Sequence, residues 1–395
     1  MFLNKEEEQM LQGEYGEVVS KALTAIVKVG EVLGADSLID ISHAHVSGIS
    51  YFNIGDAGID FIESLAFEGA SFRVFTTANP YAVIQGYKQR NFSDEVLSKQ
   101  LKVVSALRSM GAKAFTCAPY FIRKPKAGEH IAWAESNAVL FANSVLGAYT
   151  NREGGPLALF EALTGKAYNA GVHLPEGRKP RCVVEVETPK NYLEAALTGY
   201  AVGRRCPSEI PYVKGLKSIK EGMMRSFLAA FGATSGAPMA VLEGVTPGWR
   251  KHGEKIKELP KVEVDDSEIR AVIEEGGKTH VKPDLYIIGC PHLSSEELIE
   301  ILKELSSCRR YEGATEIWLI TGRYVSVPDH LNRLNPNIKV LFDVCPVVTR
   351  LDKLGIRTVV TDSGKALYYL PKLAKVDVVI KDRYEIISEI LRGCG

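Results

Sequence analysis

From Ser37 to the middle of the chain, short apolar runs rich in β-branched residues alternate with stretches whose apolar residues recur at helical spacing. Leu38–Ser42 predicts a strand, SHAHVSGIS a loop, and a helix follows from about Asp56 to Glu68. Phe72–Thr76 and Ala112–Thr116 read as further strands. Between them Asp94 to Met110 is amphipathic and predicts a helix with Ser93 as its N-cap. Strand and helix alternating in this way predict parallel α/β architecture.

The pattern changes from about Trp249 to His280, where Lys, Glu, Asp and Gly dominate. This stretch predicts a charged surface connection carrying a short helix. Beyond it come strand Asp284–Gly289, helix Ser294–Leu305 and strands Glu316–Thr321, Lys339–Phe342, Arg357–Thr361 and Val376–Ile380, the series of a doubly wound α/β domain. The expected organisation is an N-terminal α/β region over residues 1–250, in one or two lobes, a connection over 251–280 and a C-terminal domain over 281–395.

A chain of 395 residues is too long for a single ordinary core, which agrees with that division. Its 48 basic and 48 acidic side chains cancel, so nothing draws it generally to nucleic acid or to an anionic membrane. The start, MFLNKEEEQML, turns acidic at once and carries no secretory signal pattern. Apolar runs such as Ala138 to Leu146 fall well short of the ~20 residues a membrane helix needs. The chain reads as a cytoplasmic enzyme. Its seven cysteines include no C-x-x-C pair, and their odd number argues against a disulfide framework.

Three of those cysteines share a setting. Cys117 follows AKAFT, Cys290 follows DLYIIG and Cys345 follows KVLFDV, each just past a predicted strand with a proline one or two residues on. Open α/β sheets bind ligands at their strand C-terminal ends. As thiolates on an iron–sulfur cluster, the three would leave one iron without a protein ligand. As plain residues they would be small buried side chains, and spacing leaves both readings open. Cys206, in RRCPSE, resembles them without a clear strand before it and is the reserve ligand; Cys182, Cys308 and Cys394 read as structural or incidental.

Polar groups gather in three further places. A small apolar helix within residues 128–156 carries Ser136, Asn137, Asn143 and Ser144, with positions seven apart on nearly one face. Core hydrogen bonding is the plain reading of that face, but TNREGGP follows with Asn151, Arg152 and Glu153 ahead of a glycine pair. Arg is the natural bidentate clamp for a carboxylate or phosphate. SHAHVSGIS offers His43, His45 and Ser47 before a helix N-terminus that favours an anion, and no third ligand completes a His-x-His metal site. TDSGKALYY places Ser363 and Lys365 at a strand-to-helix turn without the glycine spacing of a P-loop.

SHAHVSGISYFNIGDAG, GEHIAWAESNAVLFANSVLGAYTNREGGP, GCPHLSSEEL and the cysteine of FDVCP resemble the large subunit of the aconitase X family, over nearly the whole chain. The resemblance implies an aconitase-like multi-domain α/β core with parallel and mixed sheets flanked by helices. It implies a 4Fe–4S cluster (3Fe–4S if oxidised) held by Cys117, Cys290 and Cys345. Ordinary aconitases carry two ligands as a close C-x-x-C pair, absent here, which sets citrate isomerisation aside. Bacterial members often fuse a small swivelling domain and act on hydroxyproline-type substrates. Archaeal members keep a separate small subunit and dehydrate (R)-mevalonate 5-phosphate to trans-anhydromevalonate 5-phosphate. This chain, ending at LRGCG, looks like the two-subunit type.

The expected activity is therefore that hydro-lyase reaction, in an archaeal-type mevalonate route to isoprenoids. The catalytic base is expected to be a serine of the small subunit, and no catalytic residue is assigned to this chain. His45, Ser47, Ser136, Asn137, Asn143, Asn151, Arg152, Glu153 and Ser363 are the candidates for holding an anionic substrate. A hydroxyproline or other 3-hydroxy-acid dehydratase is the alternative on the same site. A non-catalytic iron–sulfur electron carrier is the alternative of another class, although such carriers usually close the cluster with four protein ligands.

Overall fold

The computed structural model describes residues 1–82, 94–275, 282–308, 315–328 and 335–394; the expected N-cap Ser93 lies outside them. The N-terminal part runs through α1 (Lys5–Leu11), α2 (Glu17–Val32), β1 (Leu38–Asp40), β2 (His43–Val46), α3 (Tyr51–Phe67), β3 (Phe75–Ala78), β4 (Tyr81–Ala82), α4 (Asp94–Ser109), β5 (Ala132–Trp133), α5 (Ser136–Phe141), α6 (Gly155–Thr164) and β6 (Lys166–Tyr168). α2 buries Val18, Ala22, Leu23 and Ile26, the spacing of one helical face. β2 is the centre of a parallel sheet ordered β3–β2–β5, and β1 pairs antiparallel with β6.

Two expectations need correction here. HAHV is a strand rather than part of a loop, and all four of its residues are buried. A central parallel strand covered on both faces shows no alternation, and two histidines disguise it further. Ala112–Thr116 is not a separate strand: it lies along β3 through Lys113 N–H to Thr76 O, Ala78 N–H to Ala114 O and Thr116 N–H to Ala78 O, at 2.8–2.9 Å.

The middle part consists of β7 (Cys182–Glu185), α7 (Tyr192–Arg205), β8 (Pro211–Lys214), α8 (Glu221–Thr234), β9 (Val241–Leu242), β10 (Lys261–Val262) and α9 (Asp266–Glu275). Its parallel sheet is ordered β10–β7–β8–β9. α7 and α8 touch backbone to backbone at Gly199, where an added Cβ would stand 2.1 Å from Phe227 O. The charged stretch after Trp249 carries its expected short helix, α9, and also supplies the edge strand β10.

The last part holds β11 (Leu285–Ile288), α10 (Ser295–Leu305), β12 (Glu316–Thr321), β13 (Ile338–Phe342), β14 (Val344–Cys345), β15 (Thr358–Thr361), α11 (Gly364–Tyr369), β16 (Asp377–Ile380) and α12 (Arg383–Arg392). Five strands run parallel in the order β13–β12–β11–β15–β16. Leu285 and Ile287 of β11 face one core while Tyr286 and Ile288 face the other, as a sheet covered on both sides requires. The α/β fold class expected from the sequence is the one observed. The odd cysteine count misleads in one respect, because Cys308 and Cys394 form a disulfide across this unit, with their Cα atoms 5.2 Å apart. β14 leaves the sheet and pairs with β4 of the N-terminal part. Among the described residues, no helix is long and apolar enough to cross a membrane.

Candidate active site

A pocket of about 480 Å³ opens where the three parts meet. Ser47, Cys117, Ser136, Arg152 and Glu153 reach it from the N-terminal part, Gly236 from the middle part, and Cys290, Cys345 and Lys365 from the last. Strand order reverses in the C-terminal sheet where β11 lies between β12 and β15, and Cys290 and Lys365 follow β11 and β15 at that crevice. Cys345 ends β14, so the β4–β14 pairing brings it to the N-terminal residues. Cys117, Cys290 and Cys345 therefore face one cavity, and all three thiols are free.

His292 ties the three cysteine segments together. Its ring is buried, with Nε2 2.9 Å from Val344 O, Nδ1 3.0 Å from Thr116 Oγ1, and its backbone N–H directed at Cys117 Sγ at 3.3 Å. A carbonyl only accepts, so Nε2 carries the hydrogen and Nδ1 accepts from the threonine hydroxyl. Burial lowers the ring's pKa to about 4 and keeps it neutral in that arrangement. Below it, Arg225 of α8 donates to His292 O, and Arg225, Glu297, Arg383 and Asp362 form a buried ion network beneath α11.

The polar wall centres on Glu135. Its carboxylate receives Asn79 Nδ2 and Asn137 Nδ2, each at 2.9 Å, and pairs with Lys365. Burial opposes ionisation of Glu135, yet Lys365 and the Asn79 amide hold its carboxyl at about 2. Lys365 is buried too, and Glu135 with the thiols of Cys290 and Cys117 keeps its ammonium charged, above the usual lysine range. A relay runs back from Glu135 into the core. Asn79 Oδ1 lies 2.9 Å from His45 Nε2, His45 Nδ1 2.7 Å from Thr77 Oγ1, and Thr77 Oγ1 3.1 Å from His43 Nε2. Burial lowers the His45 pKa to about 4. The thiols respond to the same burial: Cys117 is pushed well up, Cys290 up and Cys345 to about 12, with Lys365 opposing in each case.

Of the expected substrate contacts, Ser47, Ser136, Arg152 and Glu153 line the pocket. Arg152 donates from Nη1 to Ser235 O at 2.5 Å and from Nη2 to Gly232 O at 2.8 Å, which fixes its plane against the end of α8. Gly155 lets this loop close on Ser47, since a Cβ there would stand 2.4 Å from Ser47 O. His45 and Asn137 sit one shell back, on Asn79 and Glu135. Ser363 caps α11 and lies beside Cys290, whose thiol it helps to hold down against burial. Two candidates turn elsewhere. Asn143 bonds the backbone of Thr150 and Pro238, and Asn151 that of Ala170 and Val172. The reserve cysteine, Cys206, is buried away from the pocket with its sulfur 3.3 Å from that of Cys182.

Sequence reasoning missed Glu135, Asn79 and His292 and left Lys365 outside the site. Glu135 stands one residue before Ser136, and His292 two after Cys290, so proximity to the candidates was the available signal.

Residues 1–176 match the aconitase X first domain, 180–274 the second and 283–392 the third. The phosphomevalonate dehydratase large subunit of Thermococcus kodakarensis is 40% identical, over 93% of this chain and 95% of that one. The protein of the same name from Methanocaldococcus jannaschii is 36% identical over the full length of both. The cis-3-hydroxy-L-proline dehydratase of Pseudomonas aeruginosa is 33% identical, over 93% of this chain and 66% of its own length. A crystal structure of Thermococcus kodakaraensis aconitase X in its holo form superposes with a TM-score of 0.89 at 37% identity, covering 99% of this chain and all of that one.

Proposed function

This chain belongs to the aconitase X family, and from that premise we propose that it is the large subunit of a hydro-lyase that dehydrates (R)-mevalonate 5-phosphate to trans-anhydromevalonate 5-phosphate. The observation that carries the reading is similarity along the chain, 40% and 36% identity to two phosphomevalonate dehydratase large subunits against 33% to a hydroxyproline dehydratase. The relatives are named dehydratases, which sets the electron-carrier alternative aside.

We place an iron–sulfur cluster of the 4Fe–4S type on Cys117, Cys290 and Cys345. The fit rests on three free thiols from separate segments facing one cavity. Among the described residues, no group of three or more His, Cys, Asp or Glu side chains is placed to hold a single metal ion. When bound, such a cluster offers one iron lacking a protein ligand, a Lewis acid that assists departure of a hydroxyl.

The chain's own residues bind and orient. Arg152, fixed by two carbonyls, presents a guanidinium edge to a carboxylate or phosphate. Lys365 keeps a positive charge beside the thiols and is restrained by Glu135, so it sets the local field without moving. Ser47 and Ser136 supply hydroxyls along the wall. The base that takes the proton beside the substrate carboxylate belongs to a small-subunit partner, consistent with relatives named large subunits. The test is anaerobic turnover by the chain co-purified with that partner, offered (R)-mevalonate 5-phosphate and cis-3-hydroxy-L-proline separately. Dehydration of the first supports the reading; turnover of hydroxyproline alone overturns it.

A further inference from the structure

Glu153 lines the pocket yet is only 6% exposed. Its Oε2 accepts from Tyr168 Oη at 3.2 Å, while Oε1 is buried without a partner. Beyond it on α6, Glu161 is fully buried and neither of its oxygens has a partner. Burial raises the Glu153 pKa to about 7, and burial together with Glu153 pushes that of Glu161 well up.

The groups facing this pair are few. Tyr168 comes from β6 and Asn151 from the loop before Glu153. Arg152 donates to the carbonyls of Ser235 and Gly232 and to neither carboxyl of the pair, and Lys365 is paired with Glu135. Among the described residues, no Lys or Arg forms an ion pair with either carboxyl. A buried carboxyl pair without a cation stays protonated in part, because neighbouring carboxylates cannot both ionise cheaply in a dry site. Scaffolding alone would be served as well by glutamine at either position. A carboxyl that keeps its proton and lines a cavity is suited to acid catalysis.

We propose that Glu153 is the general acid of the dehydration, giving its proton to the departing hydroxyl oxygen. The proposal rests on the dehydratase reading above. The C–O bond breaks with its electron pair on oxygen, which takes the Glu153 proton and leaves as water. The proton beside the substrate carboxylate goes to the partner's base, and the C–H electron pair becomes the new double bond. Glu153, left as a carboxylate, regains a proton from solvent.

The experiment uses the complex with its partner and cofactor, on whichever hydroxy acid the wild type dehydrates, so failure of the phosphorylated substrate is a separate result. Glu153→Gln is expected to lower kcat on the order of 10²–10⁴-fold with KM little changed. Wild-type kcat should fall as pH rises through the Glu153 pKa, and this limb should vanish in Glu153→Gln. Tyr168→Phe should shift the limb to higher pH, because the hydroxyl that donates to Glu153 Oε2 no longer favours its carboxylate. Infrared difference spectra of the chain without substrate should show a protonated carboxyl near neutral pH that weakens in Glu153→Gln. Thermal unfolding checks both folds, and Tyr168→Phe carries the test alone should Glu153→Gln not fold. A Glu153→Gln enzyme with wild-type kcat, or a limb unmoved by Tyr168→Phe, would overturn the proposal.

Discussion

The ammonium of Lys365 meets the carboxylate of Glu135 inside the pocket, although 230 residues separate them in the chain. Glu135 is held at about 2 against an ordinary 4.5, so its contribution to stability is present above pH 4.5 and is lost as pH falls toward 2. Lys365 is raised above its ordinary 10.5, so its contribution is full below pH 10.5 and is lost as pH rises through the folded value. Lys365→Met strands a buried carboxylate, and the expected loss at pH 7 is about 3–5 kcal/mol. Burial then raises the Glu135 pKa, so the loss should shrink at pH 4, and adding Glu135→Gln should recover most of it at pH 7. Denaturant titrations at both pH values check this; equal losses at pH 4 and pH 7 would contradict it.

Arg152 has two of its N–H directions taken by Ser235 O and Gly232 O. Lysine cannot hold both carbonyls and still present an edge to an anion. Arg152→Lys is expected to lower kcat/KM at least about tenfold, roughly 1.4 kcal/mol, while the visible absorbance of the reconstituted chain stays unchanged. Steady-state kinetics beside that spectrum are the check, and wild-type kinetics would remove Arg152 from the site.

His292 touches the segments of all three pocket cysteines, through Thr116, Val344 and its own place two residues after Cys290. His292→Ala leaves every thiol in the chain but frees the segments from one another. Partners of metal ligands typically account for about 10–100-fold in affinity. Iron retained after anaerobic reconstitution and gel filtration should therefore fall in His292→Ala. Full retention would show that the thiols hold their places without it.

The C-terminal sheet is legible in the sequence because its strands are short apolar runs divided by helix caps. Glu316–Thr321 has the bounds its pattern predicts, and Ser294 caps α10 with a Glu297 capping box. The thiols' setting at strand ends is legible for the same reason, although Cys117 follows a segment that only runs along β3. HAHV is not legible, since its burial comes from neighbours on both faces. The Glu135–Lys365 pair leaves no local pattern at all, being made by the docking of two distant segments. Asn143 and Asn151 show the converse. Their shared polar character is plain, but whether a buried amide serves a ligand or the backbone depends on loops that the periodicity does not place.

The chain without its partner is expected to show no dehydration after reconstitution with iron and sulfide, and to gain it when the small subunit is added. A coupled assay for loss of the hydroxy acid, with and without the partner, decides this. Full activity of the chain alone would put the base among its own residues, with Ser363 the first to examine.

Iron content and visible absorbance of Cys117→Ser, Cys290→Ser, Cys345→Ser and Cys206→Ser, each reconstituted anaerobically, test the central claim most directly. The three cysteines share one cavity and Cys206 lies apart beside Cys182. The first three variants should lose the brown absorbance and most of the iron, while Cys206→Ser keeps both. Retained absorbance in any of the first three, or its loss in Cys206→Ser, would contradict the cluster site and the dehydratase chemistry built on it.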